Sequence, residues 1–566
     1  MLRITILDGY VDEPTCLGVP PYISPYPRYI AGAAWASDPR VTVRYLTIDQ
    51  LRNQPSFRTI LEDSDLIVTV AGMVVPGRYL AGHPANPGEL TALLHGVKAR
   101  TLLCGPAARY GFGVSGGRRT KAAAEDTFDL VVTGDAEFAV FDLLQNNLAI
   151  DQIDPTRCRS SPEDIRRFAV LGAKIVRHHP FFPHYIITEM ETYRGCPRSI
   201  VGGCSFCSEP QKGPPRFRKP EDIHAEIKAL YDVGIRHFRL GNQPCIFSYM
   251  AKTAGTEEVP RPNPEALKTL FSGIRRVAPD LKTLHIDNAN PGVLARYPDE
   301  CREIAETIVR YHTSGDVAAL GVESVDPQVI QENNLKASAE DVTAAVQLLN
   351  EVGGTRGSTG LPELLPGLNF VFGLKGETKQ TFTQDYAFLK SLYEKGLMLR
   401  RINLRQVMPL PGTPMEQLGE TNVRRHHGLF LQFKRRVRVT VERPMLQRLI
   451  PVGTVLRDVY AELYEGKVTF GRQLGTYPLL VGIPGVFPLQ EYHDVKVIAY
   501  GYRSVTAVPY PLDVNAAPRE TLEAIPGIGR KRAQRLLMKR PYRSVDEVAA
   551  ALDDDSVASM LRAYLV

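Results

Sequence analysis

The sequence predicts a multidomain α/β protein: an N-terminal parallel α/β domain, a (β/α) barrel, a small β-barrel and a C-terminal pair of short helices. Three observations lead there. Short β-rich runs alternate with helix-spaced runs over residues 1–150, and again over about 220 residues that follow a cysteine-rich stretch. After about residue 450 the pattern becomes alternating residues with glycine turns. The chain then closes on two helical patterns around the turn "PGIG", residues 526–529. Its 566 residues, 44% hydrophobic and 23% charged, suffice for several cores.

No apolar run reaches the ~18 residues of a membrane span, and the opening "MLRITILDGY" reads as a buried strand, with no signal-peptide pattern. The expected location is cytoplasmic, where thiols stay reduced. The eight cysteines are then ligands, nucleophiles or core residues. The net charge of +6 is only mildly basic, so any nucleic-acid contact must rest on where the charge lies.

In the N-terminal segment, residues 1–150, "RITILDG", "VTVRYLTI", "DLIVTVAG", "KARTLLCG" and "FDLVVTGD" read as strands, and "NPGELTALLHGV" and "AEFAVFDLLQNNL" as helices. This alternation predicts a Rossmann-like parallel sheet with helices on both faces. Ligands of such a sheet bind beyond the carboxyl ends of its strands. The glycine-bearing ends are "CGPAARYGFGVSGG" and "TGDAE"; such loops turn a chain as often as they bind a ligand.

The stretch "ETYRGCPRSIVGGCSFCSEP", residues 191–210, holds Cys196, Cys204 and Cys207. Soft thiolates select zinc, copper(I) or iron–sulfur clusters. Structural zinc takes four ligands in two pairs, whereas here there is one C-x7-C-x2-C group. The other cysteines, Cys16, Cys104, Cys158, Cys245 and Cys301, are scattered singly. Three close thiols suit a [4Fe–4S] cluster with one iron left open; the alternative is a zinc site completed by a distant His or Cys. The helix–strand units that follow predict a partial or full (β/α) barrel, whose functional residues lie at strand carboxyl ends: Asn242, Asp287, Glu323, Lys375 and Gln406.

Residues 188–415 resemble the radical S-adenosylmethionine (SAM) enzymes. Phe206 stands where the family has an aromatic residue before its third cysteine, although the usual family spacing is C-x3-C-x2-C. "RKPEDIHAE" (218–226), "GVES" (321–324), "NFVFGLKGET" (369–378, with Lys375 for the usual proline) and "PLPGTPM" (409–415) resemble family segments in family order. The resemblance implies that Cys196, Cys204 and Cys207 hold three irons of a [4Fe–4S] cluster while S-adenosyl-L-methionine chelates the fourth. Phe206, Gly241, Asn242, Glu323, Ser324, Asn369 and Gly373 become the candidate cofactor-binding residues. It also implies an electron donor such as ferredoxin or flavodoxin. The N-terminal segment resembles the cobalamin-binding-like domain that precedes many such enzymes, with "GDAE" (134–137) where the family often has G-E-G-E. D-x-H-x-x-G is absent, so no histidine is marked as a lower cobalt ligand and cobalamin stays open as a second cofactor.

After about residue 416 a basic run, "VRRHHGLFLQFKRRVRVTVERPM", reads as a solvated helix. "KVTFGRQLGTYP…VKVIAYGYRSVTA" resembles a TRAM domain, an OB-like RNA-binding barrel. Tyr464, Phe470, Arg472, Tyr502 and Arg503 are its candidates for stacking bases or meeting phosphates. The last segment resembles a helix-hairpin-helix, whose turn presents backbone N–H groups to a phosphate. Gly527, Gly529, Arg530, Lys531 and Arg535 are its candidate contacts. The expected boundaries are 1–150 for the cobalamin-binding-like domain, 185–420 for the radical SAM barrel, 450–512 for the TRAM-like barrel and 513–566 for the helix-hairpin-helix. Together the parts resemble archaeal radical SAM proteins with a C-terminal helix-hairpin-helix.

Three functions compete. One is radical modification of a nucleic acid, RNA foremost, by methylation or methylthiolation. Sulfur insertion needs a second cluster, and the contexts of Cys16, Cys104 and Cys158 do not resemble that family's motifs. The second is cobalamin-dependent radical methylation of a protein or small molecule. The third is a non-enzymatic nucleic-acid-binding protein with a structural cluster.

Overall fold

The computed structural model describes residues 2–12, 17–72, 82–114, 118–120 and 126–565. Its first sheet is formed by the five β-rich N-terminal runs: β1 (Arg3–Asp8), with β2 (Tyr22–Ile23) leaving the sheet, then β3 (Thr42–Thr47), β4 (Leu66–Val70), β5 (Arg100–Cys104) and β6 (Leu130–Val131). The order β3-β1-β4-β5-β6 is parallel throughout, the doubly wound arrangement whose switch point lies beside β1. Aliphatic residues such as Ile4, Ile6, Val68 and Leu102 are fully buried, as strands covered on both faces require.

The second region is an arc of parallel strands alternating with helices. Its strands are β7 (Ile187–Glu191), β8 (His237–Asn242), β9 (Thr283–Ile286), β10 (Asn288–Ala289), β11 (Asp316–Glu323), β12 (Leu364–Phe372) and β13 (Arg401–Gln406). β9-β8-β7-β2 form one sheet and β10-β11-β12-β13 the next, and the chain passes from one to the other through Asp287. The barrel is therefore partial, and β2 of the N-terminal segment supplies its first edge.

Two helices tie the first sheet to this arc, α1 (Pro25–Ser37) and α2 (Pro220–Val233). Arg28 of α1, fully buried, pairs with Glu226 of α2 and donates to the Glu189 carbonyl. Arg218 pairs with the same Glu226 at 2.7 Å and donates to the Glu191 carbonyl at 2.9 Å. The first and last residues of "RKPEDIHAE" thus form an internal clamp on the N-terminal region. One apolar core runs from Ile4 through the arc to Ala507.

The basic run forms α3 (Thr421–Val437), continued by a π-helical turn over Arg438–Glu442. The third region is a closed antiparallel-rich barrel of β14 (Val455–Glu465), β15 (Val468–Gln473), β16 (Leu480–Pro484), β17 (Tyr492–Tyr500) and β18 (Ser504–Pro509), as the glycine-punctuated alternation predicts. Two helical hairpins end the chain: α4 (Arg519–Ala524) with α5 (Gly529–Met538), and α6 (Val545–Ala550) with α7 (Asp555–Arg562). Among the described residues no helix is long and apolar enough to cross a membrane.

The β15–β16 loop of the small barrel reaches into the open side of the arc. Tyr22 Oη of β2 donates to the Gly475 carbonyl at 2.8 Å, and Arg400, beside β13, donates to the Tyr477 carbonyl at 3.1 Å. Between these edges the Thr476 N–H donates to His285 Nδ1 at 2.8 Å, and Tyr477 Oη lies 3.2 Å from Asp287 Oδ1.

Candidate active site

β7 leads directly into the cysteine loop. Cys196 precedes a 3-10 turn over Pro197–Val201, and Gly202 and Gly203 follow with φ of +81° and +69°, a region glycine enters without steric cost. That turn takes up the long gap between Cys196 and Cys204. The Cys207 N–H then donates to the Cys204 carbonyl at 3.1 Å. Buried Arg198 donates to Cys204 Sγ at 3.1 Å and to the Asn334 carbonyl at 2.8 Å, which pins the loop to the segment after β11. Burial pushes the Cys196 thiol up to about 11 and the Cys207 thiol up to about 12, and the neighbouring Cys204 adds to both shifts. Such thiols stay protonated at neutral pH until a cation binds them. Among the described residues no three Cys, His, Asp or Glu side chains already converge into a metal-holding group. The donor set still fits a cluster: three soft thiols share one loop and one electrostatic field.

Phe206 is half-buried with Cys204 and Cys207 in a small apolar patch that includes Leu374, Val407 and Met415. Across from it, Glu323 ends β11 at a register irregularity, with φ of +66° and 6% exposure. A non-glycine residue held there costs on the order of 1–3 kcal/mol, which the surrounding packing must offset. Burial raises the Glu323 carboxyl, and Lys336 and Arg405 oppose that rise. Lys336 Nζ lies 3.4 Å from Glu323 Oε1. Burial alone would lower the Lys336 ammonium, but Glu323, Cys204 and Cys207 reverse this and raise it. Lys336 is unmarked in the sequence because a single lysine in "NNLKAS" carries no spacing signal.

The other candidates divide. Asn242 ends β8 and donates to Glu191 Oε2 at 3.3 Å. At Gly241 an added Cβ would collide with the Arg239 guanidinium and the Glu189 carboxylate, so this glycine makes room for a buried ion pair of 2.5 Å. Ser324 Oγ donates to Asp385 Oδ1 at 3.1 Å, away from the cysteines. Gly373, with φ of +92°, donates its N–H to Glu377 at 2.6 Å and leaves room for Val423, a turn-forming role. Asn369 accepts from Asn403 Nδ2 at 2.7 Å. Asp287 pairs with Arg239 at 2.6 Å, Lys375 is largely exposed 3.8 Å from Glu332, and Gln406 meets His427 at 3.2 Å.

A cleft of about 240 Å³ opens where the first sheet faces this mouth. Gly105 after β5, Thr133 to Asp135 after β6, Cys158, Arg194 and Asn242 line it. Both strand-end loops singled out in the sequence reach it, although residues 115–117 of the first lie outside the described residues. Cys104 is buried within β5, Cys158 is exposed at the cleft, and Cys16 lies outside the described residues.

The Radical SAM superfamily profile matches residues 190–389, the stretch that contains the cysteine loop and Glu323. The chain belongs to the radical SAM superfamily. A SAM-like helix-hairpin-helix tandem matches residues 496–540 and 519–560. An uncharacterised protein of Methanocaldococcus jannaschii is 50% identical over 510 residues, 89% of this chain and 92% of the relative. Another, of Archaeoglobus fulgidus, is 45% identical over 550 residues, 97% of each chain. Both relatives are archaeal. Among solved structures, the cobalamin-dependent S-adenosylmethionine radical enzyme OxsB, with aqua-cobalamin and S-adenosylmethionine bound, aligns with a TM-score of 0.46 at 12% identity. The alignment covers 76% of this chain and 56% of that one.

The C-terminal candidates of this radical SAM protein also divide. Gly527 and Gly529, with φ of +80° and +57°, form the turn, and Arg530 and Lys531 are exposed at the start of α5. Arg535, expected to meet phosphate, instead pairs with Asp553 at 3.3 Å, and Arg532 pairs with Asp553 at 2.8 Å. The acidic turn of the second hairpin thus neutralises part of the first. In the small barrel, Arg472 is held by Glu462 at 2.8 Å and by Tyr185 at 3.2 Å, inside the contact with the arc. Tyr464 donates to the Phe487 carbonyl at 2.5 Å, while Tyr502 is 66% exposed.

Proposed function

We propose that this radical SAM protein is an enzyme that modifies a nucleic acid, RNA foremost, by methylation or methylthiolation. The observation that carries the reading is the single mouth shared by three thiols and the Glu323–Lys336 pair. Cys196, Cys204 and Cys207 would hold a [4Fe–4S] cluster, and Arg198 already donates to one of these sulfurs. Together with S-adenosylmethionine, such a cluster would supply one-electron reductive cleavage of the sulfonium to methionine and a 5′-deoxyadenosyl radical, the chemistry that starts hydrogen abstraction from a substrate. Lys336 offers an ammonium for the cofactor's carboxylate, and Glu323 an acceptor for its amine or ribose hydroxyls. Phe206, Leu374, Val407 and Met415 pack with Cys204 and Cys207 and shield those two sulfurs. The turn at Gly529, with exposed Arg530 and Lys531, supports a nucleic-acid substrate.

Protein reconstituted anaerobically with iron and sulfide, then reduced with dithionite, is expected to convert S-adenosylmethionine to 5′-deoxyadenosine. The variant with all three cysteines changed to alanine is expected to make none. Stoichiometric zinc with no cleavage after anaerobic preparation would refute the reading.

The cleft beside Asn242 favours a second reading, a ligand held between the first sheet and the barrel mouth. Among the described residues the cleft holds about 240 Å³. Cobalamin is the cofactor of that second reading, and Gly105, Thr133 to Asp135 and Asn242 are the described residues that would meet it.

A further inference from the structure

The last strand of the arc has an unusual inner face. Side chains alternate across a strand, so Arg401, Asn403 and Arg405 of β13 share one face. Asn403 meets Asn369 of β12 on that side, and Phe372 on the other side of β12 packs against Phe433 of α3, so the Asn369 side is the lumen face. Barrel lumens are normally filled by branched aliphatic residues; here two of three positions are guanidinium groups. Arg401 lies over the Tyr477 ring at 4.6 Å and donates to Asn403 Oδ1 at 2.6 Å.

More cations gather with Arg401 around Glu442 from two other elements, at the open edge of β13. Lys434 of α3 and Arg438 of the π turn stand one turn apart, and neither makes an ion pair among the described residues. Arg503, in the β17–β18 turn, reaches Glu442 at 3.5 Å, and Tyr502 beside it is 66% exposed. Among the described residues Glu442 is the carboxylate that offsets these four charges. The repulsion is felt: burial and then Arg503 lower the Arg401 guanidinium to about 10, and burial, Arg438 and Arg503 lower the Lys434 ammonium. A π turn within a long helix recurs at functional sites. Arg405, farther along β13, acts on Glu323, so the track ends at the proposed cofactor pair.

We infer that Arg401, Lys434, Arg438 and Arg503, with Tyr502, form a groove for a single nucleic-acid strand entering the barrel along β13. The cations take successive phosphates and Tyr502 stacks on a base, the combination that binds single strands without sequence preference. The hairpin turn and the groove then divide the work: the first holds the substrate, the second delivers an unpaired nucleotide. This rests on the nucleic-acid reading above and deepens it.

The test is fluorescence anisotropy of full-length protein, without S-adenosylmethionine, against a labelled single-stranded RNA at several salt concentrations. The K434Q/R438Q double variant is expected to bind about tenfold more weakly at 0.15 M salt. Its log–log salt slope should shrink by about 1.4, some 0.7 for each phosphate of a single strand that is no longer neutralised. Photocrosslinking with 4-thiouridine RNA should mark the peptide that contains Tyr502, a readout independent of any variant's folding. An R530E/K531E variant separates the two surfaces. If it alone abolishes binding and the groove variant matches wild type in affinity, slope and crosslink, the groove is overturned while the nucleic-acid reading stands. If wild type binds no RNA even at low salt, both are overturned. Binding of poly-glutamate through Lys434 and Arg438 would then point to an acidic protein substrate.

Discussion

Lys336 joins the cysteine loop to β11: its ammonium feels Cys204, Cys207 and Glu323 at once. Its replacement by glutamine should weaken S-adenosylmethionine binding about tenfold to a hundredfold, the worth of one charged hydrogen bond of ~1.5–3 kcal/mol. Lys336→Arg should recover most of the affinity, as read by equilibrium dialysis. Asp385 supplies a second test. It accepts from the Val325 N–H at 2.8 Å and from Ser324, and burial lifts its carboxyl to about 8. Because the folded value is raised, its favourable contribution is full below about pH 4 and is lost as pH rises through about 8. Thermal melting of wild type should therefore fall between about pH 4 and 8 more steeply than that of Asp385→Asn, which stays uncharged and keeps an acceptor for Val325.

At the scale of elements, the clamp between α1 and α2 decides how the first sheet meets the arc. Arg28 and Glu226 are fully buried, and Arg218 shares the same carboxylate. Removing one member of a buried pair leaves an uncompensated charge, which costs about 3–5 kcal/mol. Arg28→Ala should show a destabilisation of that order in urea denaturation, towards its lower end because Arg218 keeps Glu226 partly compensated. The same clamp explains why "RKPEDIHAE" is legible as a motif while its purpose is not. The spacing of Arg218 and Glu226 is a sequence fact, but their third partner, Arg28, belongs to a different region far earlier in the chain. The hairpins teach a similar lesson. The turn at Gly527 and Gly529 can be read from its glycines, whereas the capture of Arg535 by Asp553 depends on how the second hairpin folds back.

For the molecule as a whole, the parts interlock: β2 of the first region edges the arc, and the β15–β16 loop fills its open side. The cleft between the first sheet and the mouth is the place to test a second cofactor. After incubation with hydroxocobalamin and desalting, a first sheet that only carries the fold retains no stoichiometric cobalt. Cobalt retained one-to-one would move cobalamin-dependent methylation ahead of the present reading.

The sequence by itself determined the regular architecture and the thiol donors of the cysteine loop. Strand and helix periodicities, glycine turns and three thiols within twelve residues are local signals, set by backbone geometry and ligand type. It marked Glu323 as a strand carboxyl end, while the left-handed φ there is set by the fold. Tertiary structure alone decided what those residues meet. Lys336 joined the site, Ser324 and Gly241 turned to internal partners, and Arg472 was drawn into a contact between regions. The physical reason is that charge and hydrogen-bond partners are chosen by distance in space, and burial makes those choices binding, because an unpaired polar group is costly only where water cannot reach it.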